Sequence, residues 1–184
     1  MDKAEIAEKT ISLKAAKMKA TEFKYQLEPL CEVVRVAGSV RRNEARVHDI
    51  DFVCIPKFKP VRDPESLFPP HKMVNRVIAW LNEPGNDEFY QVKGGPRMQK
   101  IIFQHLPVEI YMTTLQQFGR MLAIRTGPEN YTKKMAARWV QLGYHGVKGE
   151  LVNEHDPTDK PEFKTEKDFF SWLCWEFVKP EARL

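Results

Sequence analysis

The sequence contains no run of the roughly 20 apolar residues that a membrane-spanning helix requires. Its N-terminus lacks the order of charged and then apolar residues that marks a signal peptide. Cysteine is scarce: Cys31, Cys54 and Cys174 are odd in number and show no metal-ligand spacing. We therefore expect a protein of the cytoplasm, in a reduced intracellular compartment and with no membrane partner.

Repeats and low-complexity tracts are also absent, so the 184 residues fit one domain of ordinary size, or a compact body with a small appended subdomain. Hydrophobic residues make up 42% of the chain, which is enough for a core. The net charge is only +4, but residues 113–148 hold six Lys or Arg against one acid, Glu129. Both an ordinary solvated basic face and a surface that binds a phosphate backbone have this composition.

Hydrophobic patterning predicts a small mixed α/β sheet in the first part of the chain. Residues 3–30 and 72–81 have helical spacing, whereas 57–70 carry four prolines and are predicted to be a loop. Ser39 stands where a helix N-cap would begin. The predicted strands are 32–37, 49–55, 89–93, 98–103 and 108–112.

Beyond residue 113 the pattern becomes mostly helical. Helices are predicted over 115–125 and 129–142, separated by Gly127 and Pro128, which suit a helix end and a helix start. A hairpin is predicted over 144–152, and a capping-box-like sequence at Thr165 starts a last helix. The overall prediction is an α+β chain with two parts, residues 1–112 and a helix-rich subdomain over 113–184.

Two neighbouring segments carry groups suited to phosphate and metal chemistry. Gly38 and Ser39 can present backbone N–H groups and a hydroxyl to a phosphate, and Arg42 adds a planar, permanently charged donor. Asp49 and Asp51 lie two residues apart in an apolar segment, so on a strand both carboxylates leave the same face. Metal-assisted phosphoryl transfer requires this combination, although a turn, or a simple salt bridge to Arg41 or Arg42, would also explain the aspartates.

Glu109 is the candidate for a third carboxylate, because it lies between apolar residues on a predicted central strand. If that strand pairs beside the strand of Asp49 and Asp51, the three carboxylates can hold two Mg²⁺ ions, or Mn²⁺ in their place. In that case Glu109 would hold the metal nearer the attacking hydroxyl and could help to accept its proton. The alternative is an edge-strand acid that faces water.

Taken in order, these segments resemble the family X DNA polymerases, the DNA polymerase beta-like branch of the nucleotidyltransferase superfamily. The resemblance begins with residues 38–42 and the Asp49–Asp51 pair, and it continues through Arg125-Thr126-Gly127, the basic helix that follows, the hairpin and the C-terminal segment. It covers roughly residues 30–184. It implies a nucleotidyltransferase palm followed by a C-terminal nucleotide- and DNA-binding subdomain.

The resemblance also implies roles for individual residues. Gly38, Ser39, Arg42 and the backbone N–H of His48 would bind the phosphates of an incoming dNTP or NTP. His48 could also be a metal ligand, or only a neighbour of Asp49. Further along the chain, the residues that would contact the sugar, the base or the DNA are Gly127, Glu129, Thr132, Lys133, Lys134 and Arg138.

The chain also departs from the family pattern. Glu109 replaces the usual Asp, and Ile124 and Arg125 replace the aromatic pair that screens the sugar 2′-position. The first 30 residues are too short for the lyase domain of repair members. We expect a minimal, monomeric, metal-dependent polymerase that fills gapped or nicked DNA, of a size that suits a virus- or phage-encoded enzyme. Transfer to RNA ends or to a protein acceptor, and a non-catalytic nucleic-acid-binding relic, are the alternatives.

Overall fold

A five-stranded mixed sheet forms the centre of the first part of the chain in the computed structural model, which describes residues 10–62, 72–84 and 88–183. The elements up to residue 112 are, in order, β1 (Ile11–Ser12), α1 (Leu13–Leu27), β2 (Cys31–Val36), α2 (Gly38–Arg41), β3 (Arg46–Val47), β4 (Ile50–Pro56), β5 (Phe58–Val61), β6 (Lys72–Asn75), α3 (Arg76–Leu81), β7 (Phe89–Gly94), β8 (Met98–Phe103) and β9 (Leu106–Met112).

The strand order in the large sheet is β2-β4-β9-β8-β7. Strands β4 and β9 are parallel, and every other neighbouring pair is antiparallel. All five strands predicted from the sequence are therefore present in one mixed sheet, and the α+β class is confirmed. The pairing of β4 with β9 is the one on which the predicted third carboxylate depended.

Helix α1 covers one face of this sheet through a regular apolar stripe. Its buried residues Ala16, Ala20, Phe23 and Leu27 recur at helical spacing, and the Phe23 ring lies 5.0 Å from that of Phe103. The helix begins at Leu13, because the Ser12 side chain accepts a hydrogen bond from the Ala15 N–H and caps it. The predicted start at residue 3 lies outside the described residues.

Three local predictions were wrong. Ser39 is not an N-cap, since α2 starts at Gly38 and its N-cap is Ala37. Part of the predicted 57–70 loop is strand β5, which pairs with β6 in an antiparallel ladder. The predicted helix over 72–81 is therefore helical only from Arg76, where the Asn75 side chain caps α3. Residues 58–61 and 72–75 are strands because they pair with each other, and apolar spacing alone does not reveal such a partner.

The second part of the chain contains α4 (Phe118–Thr126), α5 (Glu129–Gln141), the hairpin β10 (Tyr144–Val147) and β11 (Glu150–Asn153), and α6 (Glu166–Trp172). The break at Gly127 and Pro128, the hairpin and the capping box of Thr165 with Asp168 are all confirmed. Helix α4 contacts the start of α6 closely, because a Cβ on Gly119 would lie 2.0 Å from the Thr165 carbonyl oxygen.

Two large apolar clusters follow this division. One draws its buried residues from 16–112 and the other from 123–173. A smaller cluster, which includes Val53, Tyr111 and Leu122, joins the sheet to α4. In the part of the chain that is described, no helix is both long and apolar enough to cross a bilayer.

Candidate active site

A row of charged residues crosses three adjacent strands of the sheet. Asp51 on β4 is directly opposite Glu109 on the parallel strand β9. Glu109 is in turn directly opposite Lys100 on the antiparallel strand β8. Directly paired residues of neighbouring strands project from the same face of a sheet. The tertiary structure therefore brings together Asp51 and Glu109, which are far apart in sequence, and adds a lysine to them.

The turn that contains Gly38 lies against this row. Gly38 has a φ of +57°, and a Cβ there would be 1.9 Å from Oδ2 of Asp51. Only glycine allows both the left-handed backbone and this close approach. The next residue, Ser39, has a buried Oγ that is without a hydrogen-bond partner among the described residues. Buried hydroxyls are nearly always paired, so an unpaired one next to the glycine that contacts Asp51 is a candidate contact for a ligand oxygen.

The carboxylates at this site repel one another. Burial, and next the charges of Asp49 and Glu109, raise the pKa of Asp51 to about 7, although Arg125 and Arg42 oppose the shift. Burial and the charge of Glu109 also raise the pKa of Asp49, which precedes β4. A site in which folding makes carboxylates harder to ionise gains most from a bound cation.

Glu109 differs from the two aspartates because both of its oxygens have partners. The Lys100 Nζ is 2.7 Å from Oε1, and the Tyr111 hydroxyl donates a hydrogen bond to Oε2. Burial opposes ionisation of Glu109, but the hydrogen bonds from Lys100 and Tyr111 outweigh it and hold the Glu109 pKa below its usual range. Glu109 is thus a charged carboxylate that is already neutralised within the protein.

The donors at this site suit a hard divalent cation, since carboxylate oxygens are the ligands that Mg²⁺ prefers. Asp49, Asp51 and Glu109 would be the ligands. As the side chains lie, however, no group of three or more His, Cys, Asp or Glu residues within 10–62, 72–84 and 88–183 is arranged to hold a metal ion. Of the three acids, Glu109 is the one whose oxygens are already engaged.

The two arginines after Ser39 contact the second part of the chain. The guanidinium of Arg41 binds both oxygens of Glu166, at 2.9 and 2.5 Å, and donates to the Thr126 hydroxyl. Arg42 binds Glu44 and donates to the Thr126 carbonyl at 2.6 Å. Arg41 is therefore a structural link. Arg42 lies close enough to Asp51 to lower its pKa, but in this conformation its donors are engaged within the protein.

Several residues expected to contact nucleotide or DNA have local partners instead. The Thr132 hydroxyl donates to the Ile124 carbonyl at 2.9 Å and so closes the turn at Gly127, whose own φ is an ordinary −69°. Glu129 and Lys133 form an exposed ion pair within α5. Arg138 donates to the Leu173 carbonyl at 3.1 Å, which ties α5 to the end of α6.

Lys134 and His48 are exposed, and His48 lies near enough to Asp49 to favour its charged form. The site also includes Lys100 and Tyr111, which sequence reasoning did not place there, and Arg125, which it placed only beside the sugar 2′-position. The Arg125 guanidinium stacks 3.8 Å from the centre of the Tyr111 ring. Alternation along the strand could have found Tyr111, because it is two residues from Glu109 on the same face. Lys100 could be found only from the register of β8.

No protein-family model and no curated protein matches this chain.

Proposed function

We propose that this chain is a metal-dependent nucleotidyltransferase of polymerase type, with a palm formed by the five-stranded sheet. It would transfer a nucleoside monophosphate from a dNTP or NTP to a 3′-OH and release pyrophosphate. The observation that carries the proposal is the juxtaposition of an Asp51–Glu109 pair with the Gly38 turn and the unpaired Ser39 hydroxyl. A binding module has no need of three carboxyl groups close enough to perturb one another's ionisation beside an unpaired buried hydroxyl.

Each group has a defined task in this proposal. The Ser39 hydroxyl and the backbone at Gly38 would bind the phosphates beyond the scissile bond, and Asp49 and Asp51 would hold the Mg²⁺ that accompanies the triphosphate. Two Mg²⁺ ions, when bound, supply Lewis-acid stabilisation of the attacking and leaving oxygens. Glu109 would hold the metal ion nearer the attacking hydroxyl, and it could help to accept the proton of the 3′-OH once Lys100 and Tyr111 release its oxygens. To reach a phosphate, Arg42 would have to release both Glu44, whose side of the ion pair is exposed, and the Thr126 carbonyl.

The second part of the chain would contact the nucleic acid. Lys133 and Lys134 are exposed at the start of α5, and Lys133 is held only by an exposed ion pair to Glu129, which costs little to break. Arg138 would support this surface from within, through the Leu173 carbonyl, rather than touch DNA. Gapped or nicked DNA is the proposed substrate, bound by a monomer.

Primer extension tests the proposal. The protein is incubated with labelled dNTPs, Mg²⁺ or Mn²⁺ and a duplex that carries a one-nucleotide gap. We expect addition of one nucleotide, and loss of that activity in Asp51→Asn. Asp156→Asn is the matched control, since it makes the same chemical change in an exposed turn far along the chain. Absence of extension by the wild-type protein with both metals, and with both dNTPs and rNTPs, would contradict the proposal.

One observation bears on the alternative substrates. Arg125 presents an exposed guanidinium beside Tyr111, where the resemblance predicts an aromatic screen against the sugar 2′-hydroxyl. A guanidinium donates hydrogen bonds and does not exclude a hydroxyl, so ribonucleotides or RNA 3′ ends become reasonable substrates. Comparing gapped DNA, single-stranded RNA and bulk protein as acceptors for α-labelled NTPs separates these cases. A tenfold or greater preference for gapped DNA would exclude the alternatives as the main activity.

A further inference from the structure

The charged row contains a cation of its own. Lys100 is directly opposite Glu109 in the ladder, and its Nζ lies 2.7 Å from Oε1. The side chains are 34% and 18% exposed, so the pair is partly shielded from water. The other Glu109 oxygen is fixed by the Tyr111 hydroxyl, which holds the carboxylate plane in place while Lys100 binds it.

A metal ion and the Lys100 ammonium repel each other if both bind the same Glu109 oxygen. Mg²⁺ binds a carboxylate oxygen at about 2.0–2.1 Å, and an ammonium that donates to that oxygen would place two positive charges within a few ångströms. Cations so close repel strongly where water is partly excluded. Binding of a metal by Glu109 therefore requires Lys100 to release Oε1, and the long, flexible lysine side chain permits that movement.

We infer that Lys100 occupies the Glu109 oxygen that a metal ion would bind, and that it competes with that ion. This inference deepens the proposed function, because it concerns the metal-binding step of the same site. Asp49 and Asp51 remain available as metal ligands while Lys100 binds Glu109, since neither aspartate is bound to Lys100. A metal ion held by Asp49 and Asp51 would leave Lys100 in place, whereas one held by Glu109 would have to displace it.

The charges around Lys100 define the control. The hydrogen bond to Glu109 on β9 raises the pKa of Lys100, and the charges of Asp49, just before β4, and Asp51 on β4 also raise it. On the far side, Lys93 of β7 is directly opposite Lys100 in the sheet register. Lys93→Met removes the same charge one strand farther from Glu109. This variant therefore shows how much of any effect comes from the electrostatic potential at Glu109, rather than from loss of the Lys100 contact that competes with a metal ion.

Titration calorimetry with Mn²⁺ on the full-length, nucleotide-free protein tests the inference. Lys100→Met should bind Mn²⁺ about fivefold more tightly than the wild type, because a partly exposed ion pair contributes about that factor to an equilibrium. Lys100→Arg, which can keep the contact, should restore wild-type affinity. Lys93→Met should change it less than about twofold. In a Glu109→Gln background, Lys100→Met should no longer tighten binding.

The outcomes are distinguishable from failure of the proposed function. If the wild type binds Mn²⁺ in a manner that Asp51→Asn abolishes, but Lys100→Met leaves the affinity unchanged or weaker, competition by Lys100 is excluded and the metal site stands. If Lys93→Met tightens binding as much as Lys100→Met, the effect is a general potential and the inference is overturned. If no variant binds Mn²⁺ at millimolar concentrations, both the inference and the proposed function are wrong.

Discussion

The ionisation of Asp51 gives a sharp test of the site without any assay of catalysis. Folding raises the pKa of Asp51 from 3.8 to about 7, chiefly through burial and then through Asp49 and Glu109. A carboxyl whose pKa is higher in the folded state favours folding only while it is protonated. Its contribution to stability is therefore greatest below pH 3.8 and is lost progressively as the pH rises to about 7.

Asp51→Asn should stabilise the metal-free protein, and by an amount that depends on pH. At pH 8 the difference between the folded and unfolded pKa values sets an upper limit of about 4 kcal/mol on the gain in unfolding free energy. At pH 4.5 the same relation gives a gain of about 1 kcal/mol. Urea unfolding in EDTA at the two pH values measures both numbers. The gain arises because the amide keeps the shape of the carboxyl but has no charge to be buried or to repel Asp49 and Glu109.

Asp156→Asn again provides the control, because Asp156 accepts hydrogen bonds from Thr158 and its pKa is lowered by them. This variant should be slightly less stable than the wild type at pH 8, which is the opposite sign. If Asp51→Asn lies within about 0.5 kcal/mol of the wild type at pH 8, the typical range of a neutral surface change, the electrostatic argument for this site is refuted. In a separate measurement without EDTA, we expect saturating Mg²⁺ to stabilise the wild type and to leave the stability of Asp51→Asn unchanged.

Four further predictions follow from named contacts. Glu166→Ala should destabilise the protein by about 3–5 kcal/mol, because it leaves the fully buried Arg183 without its 2.8 Å partner. Chemical unfolding measures this change, and a loss of stability below about 1 kcal/mol would contradict the prediction. Gly38→Ala should abolish nucleotidyl transfer in the gap-filling assay, since its Cβ would overlap Asp51; wild-type activity would rule out this geometry. Glu109→Asp should keep activity, whereas Glu109→Gln should slow single-turnover extension by about a hundredfold or more; a Gln rate within threefold of wild type excludes the role of Glu109. Thr132→Val should weaken stability by about 1 kcal/mol without changing nucleotide selectivity, because its hydroxyl binds the Ile124 carbonyl; a selectivity change would show a base contact instead.

Strand positions in the large sheet could be predicted well, because each strand combines a short apolar run with turn residues on both sides. The start of β4 is shifted by one residue, from Asp49 to Ile50, which is within the usual uncertainty of an element boundary. Strands β5 and β6 were missed because their mostly exposed residues show no apolar pattern, and because the prolines of residues 57–70 are typical of a loop. Their pairing with each other decided their structure, and no local pattern reports such pairing.

The roles of the basic residues could be predicted less well. A charged side chain looks the same in a sequence whether it faces a ligand or a buried carboxylate. Arg41 illustrates this, because it follows a phosphate-type turn and yet binds Glu166, 125 residues away. Arg138 is similar: its place on a basic helix suggested DNA, but its guanidinium donates to the Leu173 carbonyl. Local spacing cannot distinguish these partners, since they come from distant elements.

The amino-acid sequence by itself determined the ingredients of the site: the Gly38–Ser39 turn, the Asp49 and Asp51 pair at strand spacing, and an acid at 109 within an apolar strand. These depend on neighbours a few residues apart, where backbone geometry leaves little freedom. Only the tertiary structure decided that Glu109 is directly opposite Asp51 and also opposite Lys100. Strand order and register set that row, and they are chosen by burial of the whole sheet face rather than by any segment alone.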